Sequence, residues 1–265
     1  MLYKGVLTKM KSEFSDPINY YLSLGNDFVQ FHQLIQKKLK LKFLGFHCLN
    51  CESSSNIYRQ GFCKSCFFES PQTADWIMRP ENSKAHLGIE DRDLEYEKRV
   101  QLQPHIVYLA NSSNVKVGVT RKTQVPTRWI DQGAITALEI LEVPNRYLAG
   151  LAEVALKNYI SDKTNWRDML KGNTPNEDLL VWKNKLKEYI PDELKPYILN
   201  TQSQVNINFP VQKHPTSPKS LNLIKTQEYE GILSGIKGQY LIFDDDTVFN
   251  VRSNEGLVVA LDILN

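Results

Sequence analysis

This sequence lacks several features that are typical of secreted and membrane proteins. Outside positions 48–66 there is no cysteine, which argues against the distributed disulfide framework of small secreted domains. No stretch approaches the roughly 18 consecutive apolar residues that a membrane-spanning helix requires. Lysines interrupt the apolar residues of positions 1–11, so we expect no signal peptide. These absences predict a cytoplasmic protein without a membrane partner.

An excess of one charge is also lacking. The chain of 265 residues has 32 lysines and arginines against 30 aspartates and glutamates, a net charge of +2. This is far below the charge of proteins that bind duplex nucleic acid by charge alone, so any contact with DNA or RNA must be local. A hydrophobic content of 42% is that of a globular protein, and the length allows one large or two smaller domains.

The four cysteines form two C-x-x-C pairs, Cys48 with Cys51 and Cys63 with Cys66. Each pair can direct two thiolates at one tetrahedral ion, so the spacing predicts a structural zinc in a zinc ribbon over residues 47–70. Four sulfur ligands leave no coordination position for water, and such a site contributes to folding and not to chemistry. The alternatives are reduced, buried thiols or a redox role.

Both ends of the chain have the alternating pattern of β-strands. Residues 3–11 and 229–237 share a hydrophobic pattern with glycines at Gly5 and Gly231. We expect the N-terminal segment 1–46 and the C-terminal segment 201–265 to form one β-rich module, in which the two similar stretches pair with each other. The alternative is two unrelated strands of a common pattern. The predicted strands cover 2–10, 18–24, 40–46, 229–237, 239–243 and 247–252.

The polar stretch 71–103 contains prolines and a run of charged residues, which predicts a connector or a solvated helix without chemistry. Residues 205–222 predict a second connector. Between them, residues 104–200 predict a small domain, and the whole chain therefore belongs to the α+β class. The domain's predicted elements are a hairpin at 106–110 and 115–120, a helix from Pro126 to 132, a strand at 136–143, and a helix capped by Asn145.

The order and spacing of residues in this central domain resemble those of the GIY-YIG nuclease domain. The residues that carry the resemblance are Val107-Tyr108, then Lys116-Val117-Gly118, then Arg128, and a helix that contains Glu153. The closest stretch is 105–170. The whole chain is also similar to a family of bacterial and archaeal proteins of unknown function that join a zinc ribbon to such a domain.

The resemblance implies a role for each of these residues. Tyr108 would activate or orient a water, Arg128 would stabilise charge on a phosphate, and Glu153 would bind magnesium or manganese. Gly118 would let the backbone approach a phosphate. Lys116 departs from the pattern because it stands where the second motif has a tyrosine. It would bind phosphate in its place, or the site has been retired from catalysis.

Arg121 and Arg167 are further candidates for a phosphate-binding face. Three functions remain open at this point. The first is a metal-dependent endonuclease acting on DNA or RNA, the second is a nucleic-acid binding protein without turnover, and the third is a scaffold for protein partners. The sequence predicts no oligomeric state.

Overall fold

The computed structural model describes residues 2–264 of the chain. Its strands are β1 (Leu2–Val6), β2 (Lys11–Glu13), β3 (Asn19–Leu24), β4 (Asp27–Gln30), β5 (Lys38–Phe46), β6 (Ile57–Arg59), β7 (Phe62–Cys63), β8 (His105–Asn111), β9 (Val115–Arg121), β10 (Thr136–Val143), β11 (Val205–Asn206), β12 (Lys219–Ser220), β13 (Glu228–Lys237), β14 (Tyr240–Phe243), β15 (Thr247–Asn250) and β16 (Leu257–Leu264). Its α-helices are α1 (Lys64–Glu69), α2 (Asp75–Met78), α3 (Leu94–Gln101), α4 (Thr127–Asp131), α5 (Arg146–Leu156), α6 (Trp166–Lys171), α7 (Leu179–Leu186) and α8 (Leu223–Thr226).

The described chain divides into two compact units. The terminal unit contains residues 2–68, 170–172 and 208–264, and the central unit contains residues 69–169 and 173–207. Helices and antiparallel sheets occur together, so the predicted α+β class is confirmed. Within residues 2–264, every helix is too short or too polar to cross a bilayer.

The terminal unit is built on a seven-stranded sheet of order β1-β16-β5-β13-β14-β15-β12. The two similar stretches lie in this sheet, but they are not neighbours as we expected. Tyr3 on β1 faces Leu261 on β16, and Tyr229 on β13 faces Leu41 on β5. The alternating pattern fixes which face of a strand is buried but carries no information on the neighbouring strand.

The central unit contains a four-stranded antiparallel sheet of order β11-β10-β8-β9. One face packs on the helices, where Val107 and Leu109 of β8 join Ala152 and Leu156 of α5 in a buried core. Side chains alternate along a strand, so Tyr108 of β8 points to the opposite face, where its ring lies 6.0 Å from that of Trp129 on α4. Helix α5 therefore covers one face of this sheet, and α4 lies against the other.

Both predicted helices of the central unit are present. Pro126 precedes α4, and Asn145 caps α5 because its side chain accepts a hydrogen bond of 3.0 Å from the Leu148 N–H. α5 ends at Leu156. The cap fixes where the helix that carries Glu153 starts.

Residues 71–103, expected to be a connector or a solvated helix, fold as part of the central unit. Glu97 on α3 is buried, and its carboxylate accepts hydrogen bonds from the backbone N–H groups of Asp91, Arg92 and Asp93. Three donors to one buried carboxylate order the preceding turn. The charged run is therefore part of the folded structure, and it orders a stretch of chain against the rest of this unit.

Candidate functional site

The structure contains two candidate sites, and the first is the cysteine cluster of the terminal unit. The Sγ atoms of Cys48, Cys51, Cys63 and Cys66 all lie within 4.8 Å of one another. A zinc ion with Zn–S bonds of about 2.3 Å holds its four sulfurs about 3.8 Å apart. The sulfurs of Cys51 and Cys63 are separated by 3.8 Å. Four thiols at these distances fit a single metal ion such as zinc.

The chain brings these cysteines together with two different local structures. Cys48 and Cys51 follow β5 in a tight turn, in which Glu52 has a positive φ of 58°. Cys63 ends the β6–β7 hairpin, and Cys66 lies in helix α1. The second pair therefore joins a strand to a helix, and the predicted zinc ribbon stays a prediction.

Hydrogen bonds to sulfur prepare the cluster for a cation. The Cys63 N–H donates to Cys48 Sγ over 3.3 Å, and the Asn50 side-chain amide donates to Cys66 Sγ over 3.4 Å. Burial raises the pKa of the Cys48 thiol, but backbone N–H groups outweigh burial and lower this pKa to about 6. Metal ligands must be thiolates, so donors directed at sulfur favour the ligating form.

The second candidate site lies in the central unit and is centred on Tyr108. This side chain is fully buried, and its hydroxyl donates a hydrogen bond of 3.1 Å to Gln132 Oε1. Burial raises the pKa of Tyr108, and the nearby Arg128 guanidinium acts against that rise without cancelling it. Tyr108 is therefore a protonated phenol at neutral pH, which donates a hydrogen bond and does not act as a base.

Gly118 faces Tyr108 directly across the β8–β9 pair. A Cβ at this position would lie 2.7 Å from both Cζ and the hydroxyl oxygen of Tyr108. Only glycine leaves room for the ring, so Gly118 has a packing role beside the phenol. The approach of a phosphate to this backbone stays a prediction.

Lys116 precedes Gly118 by two residues and lies on the same face of β9. Its residue is only 5% exposed, and within residues 2–264 no side chain hydrogen-bonds to its ammonium or forms an ion pair with it. Burial lowers the pKa of Lys116 to about 8, and the positive charge of Arg128 contributes to the shift. The carboxylates of Asp162 and Glu153 act against this shift without cancelling it. A buried cation that is only partly compensated costs free energy, and a bound anion would offset that cost.

Glu153 lies on α5 at the edge of the apolar core and is half-buried. Burial raises its pKa, Lys157 and Arg146 lower it, and the carboxylates of Glu81 and Asp162 raise it further. The charge of Glu153 in turn affects the pKa values of Tyr108 and Lys116. The charges of Arg128 and Glu153 thus both act on Tyr108 and on Lys116, and we call these four residues the Tyr108 cluster.

The two remaining predicted residues have other neighbours. Arg121 faces His105 at the far end of the β8–β9 pair, where burial lowers the pKa of His105 to about 4. Arg167 is exposed, with its guanidinium 4.3 Å from the centre of the Trp166 ring. Arg128 lowers the pKa of Tyr108 and of Lys116. Arg121 and Arg167 are not among the main charges that shift the pKa of these two residues or of Glu153.

Sequence reasoning missed three residues of this region: Gln132, Arg146 and Glu81. Gln132 follows Arg128 by one helical turn, and that spacing is a signal that could have identified it. Arg146 donates to the carbonyl oxygens of Trp76 and Ile77 over 3.0 and 2.7 Å. Glu81 lies in the expected connector, and no local sequence pattern indicates that its charge raises the pKa of Glu153.

Comparison with protein families gives one result. Residues 36–259 match a family described as "Protein of unknown function (DUF2797)". The chain belongs to the DUF2797 family. This agrees with the expectation of a family of unknown function. The DUF2797 match covers the cysteine cluster and the Tyr108 cluster, and searches of curated proteins and of solved structures gave no match.

Proposed function

We propose that this protein hydrolyses phosphodiester bonds of DNA or RNA at the Tyr108 cluster, with the help of magnesium or manganese. The observation that carries the proposal is Lys116, a cation that is 5% exposed, forms no ion pair within residues 2–264 and lies close to Arg128. Two adjacent cations, only partly offset by the carboxylates of Asp162 and Glu153, fit a phosphate group. The resemblance to GIY-YIG nucleases supports the same chemistry.

Each residue has a role that follows from its surroundings. Arg128 and Lys116 bind the scissile phosphate and stabilise the negative charge that its oxygens gain in the transition state. Glu153 would hold the divalent cation, which would supply positive charge to the phosphate and help to activate the attacking water. Tyr108 donates its one hydroxyl proton to Gln132, so its hydroxyl oxygen accepts a hydrogen bond from the attacking water and orients it. Arg121 and Arg167 are proposed to contact flanking phosphates.

We infer a structural role for the metal at the four cysteines, and zinc is the ion that this ligand set favours. A complete set of sulfur ligands leaves no open position for a substrate. The ion holds together a knuckle, a hairpin and a helix that are each too short to be stable alone.

A second candidate function is nucleic-acid binding without hydrolysis, as in a retired nuclease. Lys116 at the position of the second tyrosine favours it, and so do exposed aromatic rings beside the cysteines. Tyr58 is 43% exposed and Phe68 is 55% exposed, and Arg59 lies over the Tyr58 ring at 5.3 Å. Exposed rings near a cation suit the stacking of single-stranded bases.

The test is cleavage of labelled single- and double-stranded DNA and RNA, with and without magnesium or manganese. We expect metal-dependent cutting that falls at least about 100-fold in Glu153→Gln and in Arg128→Ala, because each removes a group that acts on transition-state charge. The matched controls are Glu95→Gln and Arg99→Ala, two exposed residues of α3, which should cut as the unmodified protein does.

Two outcomes would contradict this proposal. Cutting that survives Glu153→Gln would remove the metal role from this carboxylate. Binding without cutting, retained by Glu153→Gln but weakened by Arg128→Ala and by salt, would establish the second candidate function.

A further inference from the structure

We propose that Glu81 supplies a second carboxylate ligand to the divalent cation that Glu153 holds. The inference rests on the proposed function, since it concerns the same ion. It assigns a direct role to residues 71–103, which the sequence marked as a connector without chemistry.

The backbone of Glu81 touches the helix that carries Glu153. Glu81 lies in the short 3-10 helix Pro80–Asn82, which crosses α5 at Gly150. A Cβ on Gly150 would overlap the backbone nitrogen of Glu81 and would lie 2.5 Å from the carbonyl carbon of Pro80. Gly150 precedes Glu153 by three residues, which places both on the same side of the helix. Glu81 therefore crosses α5 one turn before Glu153.

A second contact fixes this crossing. Arg146, the first residue of α5, donates from Nε to the Trp76 carbonyl oxygen and from Nη2 to the Ile77 carbonyl oxygen. Its guanidinium also lies 5.7 Å from the centre of the Trp76 ring. The segment is thus held at residues 76–77 by hydrogen bonds and at residues 80–81 by close packing, which fixes the backbone of Glu81 against α5.

The Glu81 carboxylate has an unused oxygen. Oε2 exposes less than 1 Å² to solvent, and no donor within residues 2–264 hydrogen-bonds to it. A shielded carboxylate oxygen without a donor is costly, and a cation removes that cost. The negative charge of Glu81 also raises the pKa of Glu153, and the Arg146 guanidinium, on which both carboxylates act, offsets only part of the rise in that pKa. Oxygen ligands from two carboxylates suit magnesium or manganese.

Lys116 points to an anion beside Glu153. It is more than nine-tenths buried and forms no ion pair within residues 2–264, and the charges of Asp162 and Glu153 only partly offset the burial and the Arg128 charge that lower its pKa. A cation in this position does not take part in binding metal, but it suits a phosphate whose other oxygen coordinates the ion. The Tyr108 cluster then contains ligands for the ion, Glu81 and Glu153, and donors for the phosphate, Lys116 and Arg128.

The test measures manganese binding by the full chain, followed through the electron paramagnetic resonance signal of free Mn²⁺. We expect Glu81→Gln and Glu153→Gln each to weaken Mn²⁺ binding at least about tenfold, because second ligands typically contribute this much. Glu81→Asp, which keeps a carboxylate, should lose less. Glu95→Gln is the matched control and should bind as the unmodified protein does. Circular dichroism confirms that each variant is folded.

The outcomes separate this inference from the proposed function. Weaker binding in Glu153→Gln alone would overturn the role of Glu81 and leave the proposed function intact. Weaker binding in both variants without any cleavage would support the role of Glu81 and contradict hydrolysis. Failure of the unmodified protein to bind Mn²⁺ at millimolar concentration would overturn both.

Discussion

The cysteine cluster and the Tyr108 cluster differ in how their reactive groups are partnered. The four thiols lie close enough to share one ion, and their sulfurs receive hydrogen bonds from Asn50 and the local backbone. In the Tyr108 cluster, Lys116 is instead buried without an ion pair, and beside the cluster the Glu81 Oε2 oxygen is shielded without a hydrogen-bond donor among the described residues.

The difference indicates that the cysteine cluster contributes to folding and that the Tyr108 cluster binds a ligand. A site whose donors are completed by one ion contributes to folding. A site that buries charges without partners costs stability, and proteins keep such costs where a ligand binds. The first cluster should therefore respond to substitution with a loss of folding, and the second with a loss of binding and, at Lys116, a gain in stability.

The largest expected effect is that of Cys63→Ser, which removes one of the four sulfurs. A structural zinc contributes about 10 kcal/mol or more to folding in small domains, so this variant should lose its metal and the order of residues 47–68. Mass spectrometry of metal content after gel filtration measures the loss. Ser54→Ala, an exposed change in the same loop, should keep the ion. Full metal occupancy in Cys63→Ser would contradict the comparison.

Gly118→Ala should have the next largest effect. The added Cβ meets Tyr108 at 2.7 Å, and overpacking of this kind costs about 1–3 kcal/mol. Urea unfolding measures the change in the free energy of unfolding. The same substitution made in a Tyr108→Leu background should cost much less, since the ring is gone. An equal loss of unfolding free energy in both backgrounds would show that the added Cβ does not clash with the Tyr108 ring.

Lys116→Met should stabilise the protein by about 1–3 kcal/mol at pH 7, because it removes a charge whose cost of burial the nearby carboxylates of Asp162 and Glu153 do not offset. The folded pKa of about 8 lies below the value of about 10.4 for an exposed lysine. The unfolded chain therefore binds more protons between these values. The gain should be largest below pH 8 and should shrink as pH rises toward about 10.4. Lys84→Met, an exposed change, should alter stability by less than about 0.5 kcal/mol. Destabilisation by Lys116→Met would contradict the account.

The smallest expected effect is on the pH dependence of nucleic-acid binding. Lys116 binds phosphate as an ammonium, so affinity should fall a few-fold as pH rises through about 8, where this group loses its proton. Lys116→Arg keeps its charge in this range and should bind equally at pH 7 and 9. Fluorescence anisotropy with a labelled oligonucleotide measures both. A parallel decline in both proteins would assign the titration to another group.

The parts of the structure that the sequence predicted depend on contacts between nearby residues. The cysteine spacing predicted the metal cluster, Asn145 predicted the start of α5, and the alternating stretches on either side of residues 111–114 predicted the β8–β9 hairpin. The cap and the hairpin each join residues that are close along the chain. Paired C-x-x-C spacings have few structural uses other than binding a metal.

The parts that the sequence did not predict depend on contacts between distant residues. The placement of Glu81 against α5 requires the backbone contact at Gly150, and a glycine in a helix has several explanations. The neighbours of β1 and β13 depend on which strands are free to pair, since their patterns are alike. The helix that carries Cys66 was missed because C-x-x-C spacing fits a strand-to-helix turn as well as a knuckle.

The most direct test of the central claim is the rate at which the purified protein cuts a labelled oligonucleotide as Mn²⁺ concentration rises. The account predicts a rate that increases and saturates in the unmodified protein and stays at background in Glu153→Gln. Curves that coincide for the two proteins would contradict it, because the Tyr108 cluster would then hold no ion that acts on phosphate.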